Sequence, residues 1–406
     1  MMEDCRLALR KLKPLQDVTK ERIAAENGMV KLVADGTAAN NLTMLLLTLW
    51  QRIPKPTATA KIDNNITYHH QMANQAATVF LVSAQKPRPK HDVVLTTQGG
   101  ANKFHNLLIM IRWWSGPVDV AMYFKSPDEI LLFESFIDSN QAQLQQVNFH
   151  VLLEKGTEVL PYPNNLLRNL VLDNLREDYY VALDVDFIPN KGAYKAMYNL
   201  IHNNNAESNE IKKRLHAKEI FVLPAFDLIA PPNVTFYATE DMLPQTKSQL
   251  LELREQKKLK QFRAGGGGHK PTNYFVFYND DADGTAIRKR QYKEFWELQY
   301  DGCGTYEPYI LGYRHGAPRY WKELRSGYMN KVSYFKEMSR AGFQYNQLQH
   351  FWVVHMIHPR IPEEAMQIYS AYNKPHWNEF TEYFRSWYPL LNCTWGQGKD
   401  VQWKMV

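Results

Sequence analysis

The segment from Tyr179 to Asn190, with the sequence YYVALDVDFIPN, constrains the fold of this 406-residue chain more than any other. Its apolar and aromatic residues lead into Asp184-Val-Asp186 and end at Pro189, which is typical of a buried strand. Alternate strand residues share a face, so we expect both aspartates to point the same way. Paired carboxylates repel one another unless a cation lies between them, and a divalent cation is the simplest candidate. The alternative is that the aspartates only cap the strand and the helix after it.

Short apolar runs and helical patterns alternate after His91. Strands are expected at 93–97, 118–124 and 147–153, with helices at 104–114 and 127–142. This alternation predicts a parallel α/β sheet with right-handed crossovers. Ligands of such sheets bind at the carboxyl ends of the strands, so the turn over 96–102 should lie beside the two aspartates and its amides could contact a nucleotide. The turn does not match G-x-G-x-x-G, and a dinucleotide site is therefore not supported.

The charge distribution and the cysteine content limit the classes of function that fit this sequence. The net charge of +6 is spread along the chain apart from a basic run at 257–260, so no nucleic-acid partner is expected. Three cysteines are too few for a disulfide framework, and whether Cys303 and Cys393 pair stays open. Four N-x-S/T sequons occur, at Asn41, Asn65, Asn233 and Asn392.

No membrane-targeting segment is visible in the sequence. The amino terminus lacks the apolar core of a signal peptide, and the longest apolar run, 42–50, is too short for a membrane span. We therefore expect membrane association only through an anchor that this sequence does not show.

Further candidate ligand residues lie before and after the two aspartates. Arg168 and Asn169, on a predicted helix over 164–173, could face a ligand or the surface. Among His350, His355 and His358, only His355 ends an apolar strand, which makes it the better metal ligand. A buried or surface histidine without a ligand is the alternative for each. The tetraglycine at 265–268 is interpreted as a lid hinge or as an unconstrained surface loop.

The pattern divides the chain into three segments. Residues 1–90 are predicted to be an N-terminal stem or accessory segment, with helices near 5–33 and 40–50. Residues 91–365 should form the α/β domain, including a long polar helix over 243–262. The aromatic tail, 366–406, is expected to pack against that domain.

Ten blocks, in this order, resemble glycosyltransferase family 49, the β-1,4-glucuronyltransferase and LARGE-type enzymes. The blocks span about residues 91–360 and are Leu95-Thr-Thr-Gln98, Trp114-Ser-Gly-Pro-Val118, Leu166-Leu-Arg-Asn169, Ala182-Leu-Asp-Val-Asp-Phe-Ile-Pro189, Val222-Leu-Pro-Ala-Phe226, Pro271-Thr-Asn-Tyr274, Glu307-Pro-Tyr309, Gly327-Tyr-Met-Asn-Lys331, Ala341-Gly-Phe343 and Phe351-Trp-Val-Val-His355.

The resemblance implies a GT-A fold, a Rossmann-like mixed sheet flanked by helices that binds a UDP-sugar through Mn²⁺ or another divalent cation. Asp184 and Asp186 match the family's D-x-D motif, and His355 matches its late metal-ligating histidine. The residues expected to bind the donor are Thr96, Thr97, Gln98, Arg168, Asp184 and Lys331. If the donor sugar is glucuronate, its carboxylate could pair with Arg168, Lys331 or Arg314.

The resemblance also implies an inverting transfer to a glycan or glycoprotein acceptor, in the Golgi lumen or at its membrane. Glu307 is our first candidate for the catalytic base, and Asp227 is the second. A non-catalytic relative that binds carbohydrate or a partner protein is the main alternative, although intact Asp184, Asp186 and His355 argue against it. A metal-dependent nucleotidyl- or phosphotransferase is a third hypothesis, disfavoured by the absence of a P-loop or kinase signature.

Overall fold

A computed structural model of the chain describes residues 24–26, 29–34, 46–47, 76–83, 88–154, 160–229, 239–263, 267–279, 295–298, 300, 302, 304–327, 329–356, 358 and 361–388. The three cysteines and the four sequons lie outside these residues, so the pairing of Cys303 with Cys393 stays untested.

Fifteen strands form two sheets within the described residues. The strands are β1 (Ala24–Glu26), β2 (Met29–Ala34), β3 (Ala76–Ser83), β4 (Val93–Gly100), β5 (Val118–Phe124), β6 (Val147–Glu154), β7 (Tyr179–Ala182), β8 (Phe187–Pro189), β9 (Glu219–Leu223), β10 (Ala225–Leu228), β11 (Leu259–Gln261), β12 (Phe295–Leu298), β13 (Tyr309–Tyr313), β14 (Gln344–Leu348) and β15 (Val353–His355). The large sheet has the order β1-β2-β3-β6-β5-β4-β7-β13-β9-β14-β12, and the small sheet has the order β11-β10-β15-β8.

Nine α-helices of five or more residues surround the sheets in the described part of the chain. They are α1 (Phe104–Trp114), α2 (Pro127–Asn140), α3 (Asn164–Asn174), α4 (Ala193–His202), α5 (Ala206–His216), α6 (Lys247–Glu255), α7 (Tyr274–Tyr278), α8 (Asn330–Arg340) and α9 (Glu363–Trp387). Helix α2 begins as its sequence predicts, because Ser126 caps the backbone N–H of Glu129 and Pro127 follows the cap. None of these helices is both long enough and apolar enough to cross a membrane.

The predicted α/β class is confirmed, and the large sheet is mixed. Strands β4, β5, β6 and β7 run parallel, whereas β13 lies antiparallel between β7 and β9. Every residue of β4 and β5 is buried, as expected for strands of a sheet that is covered on both faces. The described part of residues 1–90 adds β1, β2 and β3 at one edge of this sheet, and β3 pairs antiparallel with β6.

The segment 179–189, which the sequence predicts as a single strand, is divided between the two sheets, and so is the segment 219–228. The chain leaves the large sheet after Ala182 and enters the small sheet at Phe187, so the prediction that Asp184 and Asp186 share one strand face is wrong. The second division falls at Pro224, which has no N–H to donate to a ladder and separates β9 from β10. The first division places Asp184 and Asp186 between the two sheets, and the second places Asp227 in the small sheet.

Two predicted helices are also corrected. The polar helix expected over 243–262 is shorter, because α6 ends at Glu255 and the chain then forms β11. In the segment 5–33, the described residues form strands rather than a helix, and β2 pairs with the distant β3. Non-local strand pairing therefore decides the structure there.

The described part of the aromatic tail packs on the domain as α9. The side chain of Asn373 accepts a hydrogen bond from the backbone N–H of Arg325 at 2.8 Å, and Phe380 contacts the ring of Trp321 with a centroid distance of 5.6 Å. Arg325 in turn forms a buried bidentate pair with Glu154, with N–O distances of 2.7 and 3.0 Å. This pair joins the end of β6 to the segment against which α9 packs.

We predict that Arg325→Met lowers the free energy of unfolding by about 3–5 kcal/mol, because Glu154 would remain buried without its counter-ion. Urea denaturation measures the change. The matched control is Arg319→Met, which breaks the exposed pair with Asp173 and should cost less than about 1 kcal/mol. Equal losses in the two variants would contradict this interpretation of the buried pair.

Candidate active site at the junction of the two sheets

A pocket lies at the carboxyl ends of β4 and β7, where the chain passes from the large sheet to the small one. It contains all six residues that were expected to bind a donor. The lining residues are Thr96, Thr97, Gln98, Arg168, Val171, Leu172, Ala182, Leu183, Asp184, Pro308, Tyr309, Tyr320 and Lys331. Residues 98–100, expected in a turn, continue β4 and carry the side chain of Gln98 into this pocket.

Asp184 accepts hydrogen bonds from four side chains. Its Oδ1 accepts from Gln98 at 2.8 Å and from Arg168 at 2.7 Å, and its Oδ2 accepts from Lys331 at 2.9 Å and from Tyr309 at 3.0 Å. Burial raises the pKa of this carboxyl, but the charges of Lys331 and Arg168 outweigh burial and hold the pKa well below its ordinary value. A carboxylate offers about four acceptor positions, so the four donors fill them.

The two cations that hold Asp184 give the pocket an excess of positive charge. Arg168 and Lys331 are both more than nine-tenths buried and share this single carboxylate. Burial lowers the pKa of Lys331, and the negative charges of Asp184 and Glu307 only partly restore it. A buried pair of cations facing one anion favours a further anionic group, such as a phosphate or a sugar carboxylate.

Asp186, two residues further on, has separate partners. Its Oδ1 accepts hydrogen bonds from Lys103 and Asn106, both at 2.7 Å. Its Oδ2 lies 3.4 Å from Nε2 of His358. The first turn of α1 and the residue before it therefore hold one oxygen, and the other faces His358, which follows β15.

Asp186, His355 and His358 form a cluster whose potential ligand atoms lie within 4.8 Å of one another. One carboxylate oxygen and two imidazole nitrogens fit a divalent transition metal such as Mn²⁺. Asp184 is not a member of this cluster, and its predicted role as a metal ligand remains a prediction. Sequence reasoning ranked His358 below His355, because His358 follows the strand and has no periodic signal of its own.

The two candidate bases lie on either side of Arg263. The guanidinium of Arg263 donates to Oε2 of Glu307 at 2.9 Å, and its backbone N–H donates to Oδ2 of Asp227 at 3.4 Å. The backbone N–H of Glu307 donates to the carbonyl of Gly268 at 2.8 Å, so the end of the tetraglycine contacts this residue. Asp227 also contacts His355, with 2.9 Å between Oδ1 and Nδ1.

Arg314 lies away from this pocket. Its backbone N–H donates to the carbonyl of Asp178, and its guanidinium donates to the carbonyl of Leu175. Both partners precede β7, at the end of that strand opposite to Asp184. Of the three residues expected to pair with a glucuronate carboxylate, the structure therefore brings only Arg168 and Lys331 to the pocket.

We predict that Asp184→Asn lowers the free energy of unfolding by about 3–5 kcal/mol, because it removes the only full negative charge that Arg168 and Lys331 contact among the described residues. Urea denaturation measures the loss. Asp186→Asn is the matched control within the same motif. It breaks a pair with the partly exposed Lys103 and should cost about 1 kcal/mol or less. A larger loss in Asp186→Asn would contradict the account.

Comparison with known proteins places the chain among glycosyltransferases. A region of the xylosyl- and glucuronyltransferase LARGE2s of Gallus gallus is 26% identical over 276 residues, which is 67% of this chain and 32% of that protein. LARGE2 of Homo sapiens is 28% identical over 276 residues, 67% of this chain and 33% of that protein. The chain thus spans about a third of the length of these relatives.

Two solved structures are also similar in part. GalNAc-T7 with UDP, GalNAc and Mn²⁺ has a TM-score of 0.41 and 11% identity, covering 75% of this chain and 51% of that one. S. aureus TarS 1-349 in complex with UDP-GlcNAc has a TM-score of 0.34 and 10% identity, covering 72% of this chain and 71% of that one.

The family described as "Glycosyl-transferase for dystroglycan" matches residues 137–389, more than half of the chain. The chain therefore belongs to this glycosyltransferase family.

Proposed function

We propose that the chain is a metal-dependent, inverting glycosyltransferase that moves a sugar from a UDP-sugar donor to a glycan acceptor. One observation carries the proposal within the family: a pocket with two buried cations adjoins a metal-ligand cluster. Asp184 and Asp186 link the two, because they are only two residues apart and face different partners. Both the cation-lined pocket and the metal-ligand cluster suit a nucleotide-sugar, since its diphosphate carries several negative charges.

Asp186, His355 and His358 are the residues that would hold the cation in this proposal. When bound, the cation supplies positive charge that stabilises the diphosphate leaving group. Arg168 and Lys331 would bind anionic groups of the donor, and glucuronate is a candidate sugar because its carboxylate could pair with either residue. The residues Thr96, Thr97 and Gln98 would contact the donor from the end of β4.

Glu307 is the catalytic base in this proposal. It accepts the proton of the acceptor hydroxyl while that oxygen attacks C1 of the sugar on the face opposite UDP. The new C1–O bond forms as the bond from C1 to the diphosphate oxygen breaks, and the electron pair of the broken bond stays on UDP. Arg263 orients Glu307 through Oε2, and among the described residues it is the one side chain that hydrogen bonds this carboxylate.

Asp227 is the less suitable base. Both of its oxygens have partners, His355 on Oδ1 and the backbone N–H of Arg263 on Oδ2. The acceptor is proposed to be a glycan or glycoprotein, and the Golgi lumen is proposed as the compartment; both rest on the family resemblance.

UDP release from a panel of UDP-sugars, with Mn²⁺ or with EDTA, tests the proposed function. We expect one donor to be turned over with Mn²⁺, and no turnover with EDTA or in Asp186→Ala, because the variant lacks a proposed metal ligand. Mn²⁺-dependent UDP binding without turnover of any donor would favour the non-catalytic alternative. The absence of UDP binding would contradict both functions.

We predict that Glu307→Gln lowers kcat by about 10²–10⁴-fold, because the amide cannot accept the proton of the acceptor hydroxyl. The affinity for UDP should not change, since Glu307 is not among the residues that line the nucleotide pocket. Turnover and isothermal titration with UDP measure the two quantities. Full activity in this variant would assign the base to another group.

A further inference from the structure

Three side chains form a row across the small sheet. Asp227 of β10 pairs in register with His355 of β15, and His355 pairs in register with Phe187 of β8. Residues opposite one another on neighbouring strands bring their side chains into contact. The ladder of the small sheet therefore sets the positions of all three residues.

The contact with Asp227 decides which nitrogen of His355 carries the proton. The distance from Nδ1 to Oδ1 of Asp227 is 2.9 Å, and an ionised carboxylate can only accept a hydrogen bond. In a neutral imidazole, Nδ1 then donates to this carboxylate, and Nε2 has the lone pair that a metal ligand needs. Sequence patterns do not contain this information, because the two residues are 128 positions apart.

Aromatic contacts fix the plane of the same imidazole. The ring of Phe187 stacks on His355 with a centroid distance of 4.6 Å and an interplanar angle of 21°. Phe262 meets it edge-on at 5.2 Å, and His358 lies at 5.2 Å with an interplanar angle of 85°. Asp227 is itself held, because its second oxygen accepts the backbone N–H of Arg263.

We propose that Asp227 is a positioning residue that fixes the tautomer and orientation of His355, so that Nε2 faces Asp186 and His358. This inference rests on the proposed function, since it requires a cation at that cluster. Metal-ligating histidines commonly donate their second N–H to a carboxylate, and loss of that partner typically weakens metal binding about 10–100-fold. Asp227 would then act on the reaction through His355 and would not receive the acceptor proton.

Titration of the protein with Mn²⁺ alone, followed by the electron paramagnetic resonance signal of free Mn²⁺, tests the proposal. We expect Asp227→Asn to raise the Kd for Mn²⁺ about 10-fold and Asp227→Ala to raise it further, towards about 100-fold. The amide oxygen can still accept from Nδ1, whereas alanine offers no acceptor. Asp173→Asn, which removes an exposed carboxylate paired with Arg319, should leave the Kd unchanged.

Turnover at saturating Mn²⁺ separates positioning from base catalysis. If Asp227 is a positioning residue, the kcat of its variants should return close to the wild-type value once the metal site is filled. A loss of kcat at every Mn²⁺ concentration with an unchanged Kd would overturn the proposal and assign the base to Asp227. An unchanged Kd with unchanged kcat would also overturn it. If the wild-type protein binds no Mn²⁺, the proposed function itself fails.

The tautomer offers a test that needs no substitution at Asp227. Imidazole ¹⁵N chemical shifts of the metal-free protein, with His355→Gln to assign the resonance, report which nitrogen is protonated. We expect the proton of His355 on Nδ1. A proton on Nε2 would overturn the proposal, because that nitrogen would then have no lone pair to offer.

Discussion

The rest of the site depends on the partly buried carboxylate of Asp184. Its four donors come from separate elements: Gln98 from β4, Arg168 from α3, Tyr309 from β13 and Lys331 from α8. Arg168 and Lys331 are nearly fully buried, and unpaired charges at such depth are costly. One carboxylate thus stabilises two cations and joins four elements around a pocket. Because Arg168 and Lys331 contact only this one anion among the described residues, the same contact that stabilises the fold agrees with the anionic donor of the proposed function.

Asp184 and Asp186 have different partners because the chain passes from the large sheet to the small sheet around them. Asp184 follows the end of β7 and contacts the two cations, whereas Asp186 immediately precedes β8 and lies beside His355, the last residue of β15, and His358. An unbroken strand would have placed both carboxylates on one face. The interruption therefore brings one short motif into contact with the two buried cations and with the histidine cluster, which are the donor pocket and the metal site of the proposed function. The second interruption, at Pro224, brings β10 and hence Asp227 into the small sheet beside His355.

Local signals allowed part of this structure to be predicted, and tertiary pairing decided the rest. The strand over 118–124 and the helix over 104–114 agree with their predicted bounds, because each has a continuous apolar or periodic pattern between turn residues. The division of 179–189 has no local signal, since it depends on pairing between β8 and β15. The contacts of Lys103 and Asn106 with Asp186, and the place of His358, likewise depend on segments far apart in sequence.

Anomalous scattering from crystals soaked with MnCl₂ and UDP would show where the proposed cation binds. Data collected at the manganese edge locate the ion without reference to the assumed ligands. We expect one strong anomalous peak bound by Asp186, His355 and His358. We also expect Asp184 to keep its contacts with Arg168 and Lys331. A peak bound by Asp184 in place of the two histidines, or no peak at this junction, would show that the proposed metal site is wrong.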